Sequence, residues 1–143
     1  MANVFDVAQY ILHEQGTMTT MKLQKLVYYC QAWAVVWDSK PIFNEKIQAW
    51  ASGPVVPELY QAHKGKYQIS KLVGGDITNL GIQEKETIDC VLKVYGEKSA
   101  QWLSDLTHME KPWNEAREGI PIGHNCENEI TLSSLEEYYG SLC

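Results

Sequence analysis

Between Thr20 and Asp38 the chain places Leu23, Leu26, Val27, Cys30, Ala34 and Trp37 on one face of a helix, at spacings of three and four residues. Tyr29, Trp33 and Val36 widen that face well beyond the stripe of a surface helix. A helix apolar over so much of its circumference has to be surrounded, so this segment is expected at the centre of the fold. Capped by Thr19 or Thr20 and followed by Pro41, it constrains everything else. With 143 residues, 45% of them hydrophobic, the chain has enough material to surround it as one domain over residues 1–143.

The partners of that helix are legible in turn. Asn3 caps a first helix with Val4, Val7, Ala8, Ile11 and Leu12 on one stripe, and Gly16 is expected to end it as a left-handed cap. Ile47, Ala49 and Ala51 alternate with Gln48, Trp50 and Ser52 as a short strand ended by Gly53-Pro54. Pro57 starts a short helix with Leu59, Tyr60 and Ala62, stopping at Lys64-Gly65. Residues 66–82 lack a period and read as an irregular connection with some strand. Helical periodicity returns from Gln83 to Tyr95, after Ser99 with Trp102, Leu103 and Leu106 inward, and from Pro112 to Arg117. A loop over GIPIGHNCENE precedes a last helix, with Ser133 and Glu136 as its capping box and Tyr138-Tyr139 before Gly140. The predicted class is mainly α, a compact helical domain with a small β element.

Charge and motif content exclude several function classes. The net charge of −6 lacks the basic footprint that nucleic acid requires. No apolar run approaches the ~20 residues of a membrane span, and the acidic N-terminus is not a signal peptide, so the chain is expected in the cytoplasm with free thiols. Cys30 and Cys90 fall in apolar helical patterns and read as small core residues. His124 and Cys126 form a close pair with no second pair to complete a zinc site, and His108-x-Glu110 has the wrong spacing for a helical metal pair. No nucleophile elbow or phosphate-binding glycine motif occurs. A catalytic group built from His108, Glu110 and Cys126 requires the fold to bring them together. The reading is therefore no enzyme, no cofactor and no metal. Aromatic residues exceed what the helical stripes bury: Tyr28, Tyr138 and Tyr139 are expected on the surface, where aromatics beside few charges mark protein interfaces.

Several motifs occur together and in order. Lys22-Leu23-Gln24-Lys25-Leu26 with Tyr28-Tyr29 comes first, then Gly53-Pro54-Val55 with Pro57 and Tyr60. Tyr95-Gly96, Leu103-Ser104, Thr107-His108, Pro112-Trp113 and Ala116-Arg117 follow. On these residues, residues 5–140 resemble the Panacea domain of the SocA-like antitoxins, a phage-associated family. The resemblance implies a non-enzymatic protein that binds and neutralises a cognate toxin, with one known mode being delivery of the toxin to a ClpXP-type protease. Family members that carry a DNA-binding domain do so outside this domain, and no room for one is expected here. Two other classes stand beside it: a phage or prophage accessory protein that binds a host factor without a toxin, and a small hydrolase or metal protein.

Three expectations follow for particular residues. Gly53-Pro54-Val55 is architectural, because the backbone turns there and only glycine takes positive φ without steric cost. Lys22, Gln24, Lys25 and Tyr28 form an exposed strip on the long helix that meets the partner. Arg117, the one arginine beside eleven lysines, ties its short helix to loop carbonyls or an acid and can stack on Trp113 four residues earlier. The alternative is that Arg117 and His108 face the partner.

Overall fold

In a computed structural model that describes residues 2–142, seven helices and five short strands enclose one contiguous core. Helix α1 (Val4–Gln15) opens with a reciprocal cap: the Asn3 side chain accepts from Asp6 N–H at 3.0 Å, and the Asp6 carboxylate accepts from Asn3 N–H at 2.9 Å. Gly16 closes it at φ 80° but with ψ −162°, so the chain leaves extended into β1 (Met18–Thr19) rather than curling through a left-handed turn. Thr19 caps α2 (Thr20–Trp37) by accepting from Lys22 N–H at 3.2 Å.

Helix α2 is the hub. Leu23, Leu26, Val27, Cys30 and Ala34 are buried, and α1, α4, α5 and α7 all pack against it. Trp37 is the exception on its face: it stacks on Trp33 at the last turn, which leaves its outer side 46% exposed.

The strand that follows does not end at Gly53-Pro54, as the alternation suggested. Strand β2 (Ile47–Trp50) turns at Ala51-Ser52 and returns as β3 (Gly53–Val55), pairing Gln48 with Val55 and Trp50 with Gly53. Gly53 makes the return possible, since its φ of +117° is open only to glycine. Helix α3 (Pro57–His63) begins with proline, as the sequence predicts.

Residues 66–82 hold β4 (Gln68–Ile69), antiparallel to β1, and a 3-10 turn at Ile77–Asn79. They are ordered by α1 rather than by their own pattern. Asp6 accepts from Asp76 N–H at 2.8 Å, and Gln9 accepts from Leu72 N–H at 2.7 Å. Gly75 lies so close that an added Cβ would sit 2.4 Å from the Phe5 carbonyl oxygen.

Helices α4 (Ile82–Tyr95), α5 (Ala100–His108) and α6 (Lys111–Ala116) follow; then β5 (Glu129–Ile130) pairs with the open edge of β2, and α7 (Leu132–Ser141) ends the described chain. Four further expectations change here. Cys90 is exposed because α4 turns Ile88, Val91 and Leu92 inward, about half a turn away. Trp102 is 45% exposed because α5 points Leu103 and Thr107 inward, and the Lys98 ammonium rests 4.8 Å above its ring. The last helix is capped two residues before Ser133, by Thr131, which accepts from Ser134 N–H at 3.1 Å. That helix continues through Gly140. Cys143 lies outside the described residues. Among those described, no helix is long and apolar enough to cross a membrane.

Candidate functional site

The expected exposed strip on α2 is buried. Gln24 and Lys25 are 0% exposed and Tyr28 is 1% exposed; Lys22 alone keeps part of its surface. The reason is tertiary. The Gln24 amide bridges the start of α3, accepting from Val56 N–H at 2.9 Å and donating to Val56 O at 3.3 Å, and it lies 3.0 Å from His63 Nε2. Burial, with the nearby Lys25, lowers the pKa of His63 and keeps its ring neutral. Tyr28, with Tyr139, belongs to a core of aromatic hydroxyls rather than to the surface, and Tyr138 is half-buried against the same core.

Lys25 runs under the β2–β3 hairpin, where Nζ donates to the Pro54 carbonyl at 3.2 Å. Gly53 is needed twice over. Its φ requires glycine, and an added Cβ would stand 2.6 Å from Lys25 Cε. Among the described residues the ion pairs are His13–Glu14 and Lys46–Glu129, so no carboxylate compensates Lys25. Desolvation of that uncompensated amine lowers its pKa to about 7.

On the other side of the hairpin, Arg117 is 2% exposed and does what its planar fork suits it to do. One terminal nitrogen donates to Ala49 O at 2.8 Å; the other donates to Pro121 O at 3.0 Å and His124 O at 2.6 Å. Its guanidinium carbon lies 4.8 Å from the Trp113 ring centroid. Trp113 in turn donates its indole N–H to Trp50 O at 2.9 Å, and the His108 ring stacks on it at 3.9 Å. Burial lowers the pKa of His108; Asp105 opposes this, while Lys25 and Arg117 add to it. His108 Nε2 and Arg117 Nε are buried without a hydrogen-bond partner.

The three groups considered for catalysis do not assemble. The Glu110 carboxylate accepts from the Tyr29 and Tyr139 hydroxyls, each at 2.7 Å, and Tyr28 and Tyr139 hydroxyls lie 2.9 Å apart. Burial raises the Glu110 pKa, opposed by those two hydroxyl donors. His108 is stacked on Trp113, and Cys126 Sγ accepts from Asn128 N–H at 3.5 Å. No hydrogen bond joins the three. Among the described residues no group of three or more His, Cys, Asp or Glu side chains could hold a metal ion.

Two signals could have located this polar interior in advance. Between Met21 and Trp37 the only polar side chains besides two tyrosines are Lys22, Gln24, Lys25 and Gln31, too few to solvate a face of a helix surrounded by others. Glu110 lies between Leu106 and Trp113, where an acid needs partners if it goes inside.

The motif residues scattered through the sequence thus converge on the hairpin: Gln24 and Lys25 beneath it, Gly53 and Pro54 within it, and Thr107, Trp113 and Arg117 against its flanks. Two cavities of about 560 and 470 Å³ open beside it. The sequence profile described as "Antitoxin SocA-like, Panacea domain" matches residues 23–114, a stretch that contains nearly all of these positions. The chain is also similar to the Antitoxin SocA of Caulobacter vibrioides, with 30% identity over 115 residues. That alignment covers 71% of this chain and 61% of the relative's length. No solved structure matches the chain.

Proposed function

The chain belongs to the SocA-like antitoxin family with the Panacea domain, and from that membership we propose that it binds a cognate toxin protein and neutralises it. Family membership is the observation that carries this reading. The buried polar side chains at the hairpin agree with it: Gln24, Lys25 and Arg117 are engaged in holding a recognition scaffold together, which leaves binding to the surface around them. Of the residues expected to reach a partner, Lys22 and His108 retain exposed surface, and they are the side chains assigned to contact it. Delivery of the captured toxin to a ClpXP-type protease is the further step of this reading.

The test is co-purification of the tagged chain from its native host, together with expression of the neighbouring reading frame. The expected outcome is a small co-purifying protein, lethal when expressed alone and tolerated when this chain is present. Lys22→Glu should weaken that protection at least tenfold in a titrated co-expression assay while leaving the melting curve unchanged. A neighbouring gene that is harmless, with a host protein captured instead, would overturn the toxin-binding reading. Toxin levels that stay constant during rescue would remove the protease step and leave simple blocking.

A further inference from the structure

The Gln24 amide joins α2 to the start of α3, and it has no freedom to turn over. Its Oε1 accepts from Val56 N–H at 2.9 Å, and its Nε2 donates to Val56 O at 3.3 Å. Exchanging the two ends would set an NH2 group against a main-chain N–H, so the nitrogen end is fixed as the donor. That nitrogen also lies 3.0 Å from His63 Nε2, at the far end of the same short helix. An amide nitrogen donates and does not accept. Nε2 of His63 is therefore the bare, accepting nitrogen, and the ring proton sits on Nδ1. Gln24 is 0% and His63 1% exposed, so the pair is closed off from solvent.

A second proton on this ring finds no partner. Nε2–H would point at an NH2 group in the interior, where an unpaired donor and an unpaired charge are both costly. The charged and titratable groups nearby give no relief. From α2, the Lys25 amine acts on the ring with like charge. On α3 and just after it, Glu58, Lys64 and Lys66 are exposed, and Tyr60 meets the ring edge-on at 5.4 Å. From α5 and the end of α6, His108 and Arg117 share the surroundings of Lys25, and Asp105 acts on His108. Among the described residues no ion pair includes His63. Leu59 and His63 are the buried residues of α3, so little else keeps this helix in place. From this geometry we infer that Gln24 and His63 form an acid-sensitive latch: the neutral ring holds α3 to α2, and protonation of Nε2 releases α3 while the rest of the core stays folded.

The sign follows from the surroundings. Burial lowers the pKa of His63; a main-chain hydrogen bond of its own residue opposes this, and Lys25 adds to it. The opened helix exposes a histidine with the ordinary value of 6.5, so the open form takes up the proton more readily. The closed form is fully favoured above that value and weakens as the pH falls below it. The latch is internal to this chain and its test needs no toxin, so its failure would leave the toxin-binding reading intact.

Amide hydrogen exchange of the purified chain at about pH 7.5 and about pH 5, corrected for intrinsic rates, tests the latch. The Val56 amide, bonded to Gln24, and the Tyr60 amide, bonded to Val56 O, are expected to open several-fold more often in acid. The ordinary histidine value sets a ceiling of about 30-fold at pH 5. The Val91 and Leu92 amides of α4 should not change. His63→Gln keeps an accepting oxygen near the place of Nε2 and cannot be protonated there, so the acid response should disappear. Glu110, held by Tyr29 and Tyr139, and His108 remain in that variant, which separates their titration from that of His63. A second measurement needs no variant: long-range proton–nitrogen NMR of the natural chain is expected to show His63 with its proton on Nδ1 and a titration midpoint below 6.5. A proton on Nε2 at neutral pH would overturn the latch, as would a midpoint at or above the ordinary value. Equal exchange at both pH values would do the same, and so would an acid response that persists in His63→Gln or spreads equally to α4.

Discussion

Replacing Arg117 by lysine keeps the positive charge and removes the fork, and the structure sets the size of the effect. Two guanidinium nitrogens hold three carbonyls from two places: Ala49 on β2, and Pro121 and His124 in the loop after α6. An ammonium on a single stem is a point donor and cannot span β2 and that loop with the same geometry. At least one of the three carbonyls then loses a charged donor, worth ~1.5–3 kcal/mol. The stack on Trp113 at 4.8 Å is weakened as well, adding ~0.5–1 kcal/mol. The expected loss for Arg117→Lys is about 2–4 kcal/mol, which for a chain of this length lowers Tm by roughly 5–15 °C. Urea titration followed by tryptophan fluorescence measures the free energy, and partner capture at low temperature should survive. A loss below about 0.5 kcal/mol, the scale of an uninvolved surface change, would refute the argument that the fork holds the loop to the hairpin. A fully stable variant that no longer captured its partner would make Arg117 a contact residue instead.

Gly53→Ala should cost about 2–4 kcal/mol in the same titration, from a backbone at φ +117° and a Cβ pressed against Lys25 Cε. An unchanged midpoint would show that the hairpin relaxes without it. The Lys25 amine has its folded pKa lowered to about 7 from the ordinary lysine value of 10.5, so between those values the unfolded chain binds more protons, and this group makes stability rise with pH. Neutral Lys25→Met removes that dependence. Its stability relative to the natural chain should be highest below pH 7 and fall towards pH 9, with a slope of up to about 1.4 kcal/mol per pH unit. His63 and His108, which the Lys25 charge also reaches, have pKa values lowered chiefly by burial, away from this window. A pH-independent difference between the two proteins would mean that Lys25 stays charged in the folded state.

Much of the local architecture was readable residue by residue. Asn3, Thr19 and Ser99 cap helices as their side chains dictate, Pro57 starts α3, and Gly53 takes the positive φ that only it tolerates. The position of α2 at the centre followed from the breadth of its apolar surface, because a helix that wide in hydrophobic side chains has no soluble alternative. These are short-range effects, acting within a few residues of the chain. The fate of the polar side chains on α2 was not readable in that way. Lysine, glutamine and tyrosine are ordinarily surface residues, and only a partner waiting in the interior makes burying them tolerable. Those partners come from 29 residues away for Lys25, 32 for Gln24 and 111 for Tyr28. Glu110 likewise entered the sequence reading only as a candidate for a metal pair or a catalytic group, until α2 and α7 brought two tyrosine hydroxyls to it. Periodicity along a helix reports which side is apolar, whereas the burial of a polar atom depends on whether the fold delivers a donor or acceptor to it, and that is decided only when distant segments meet.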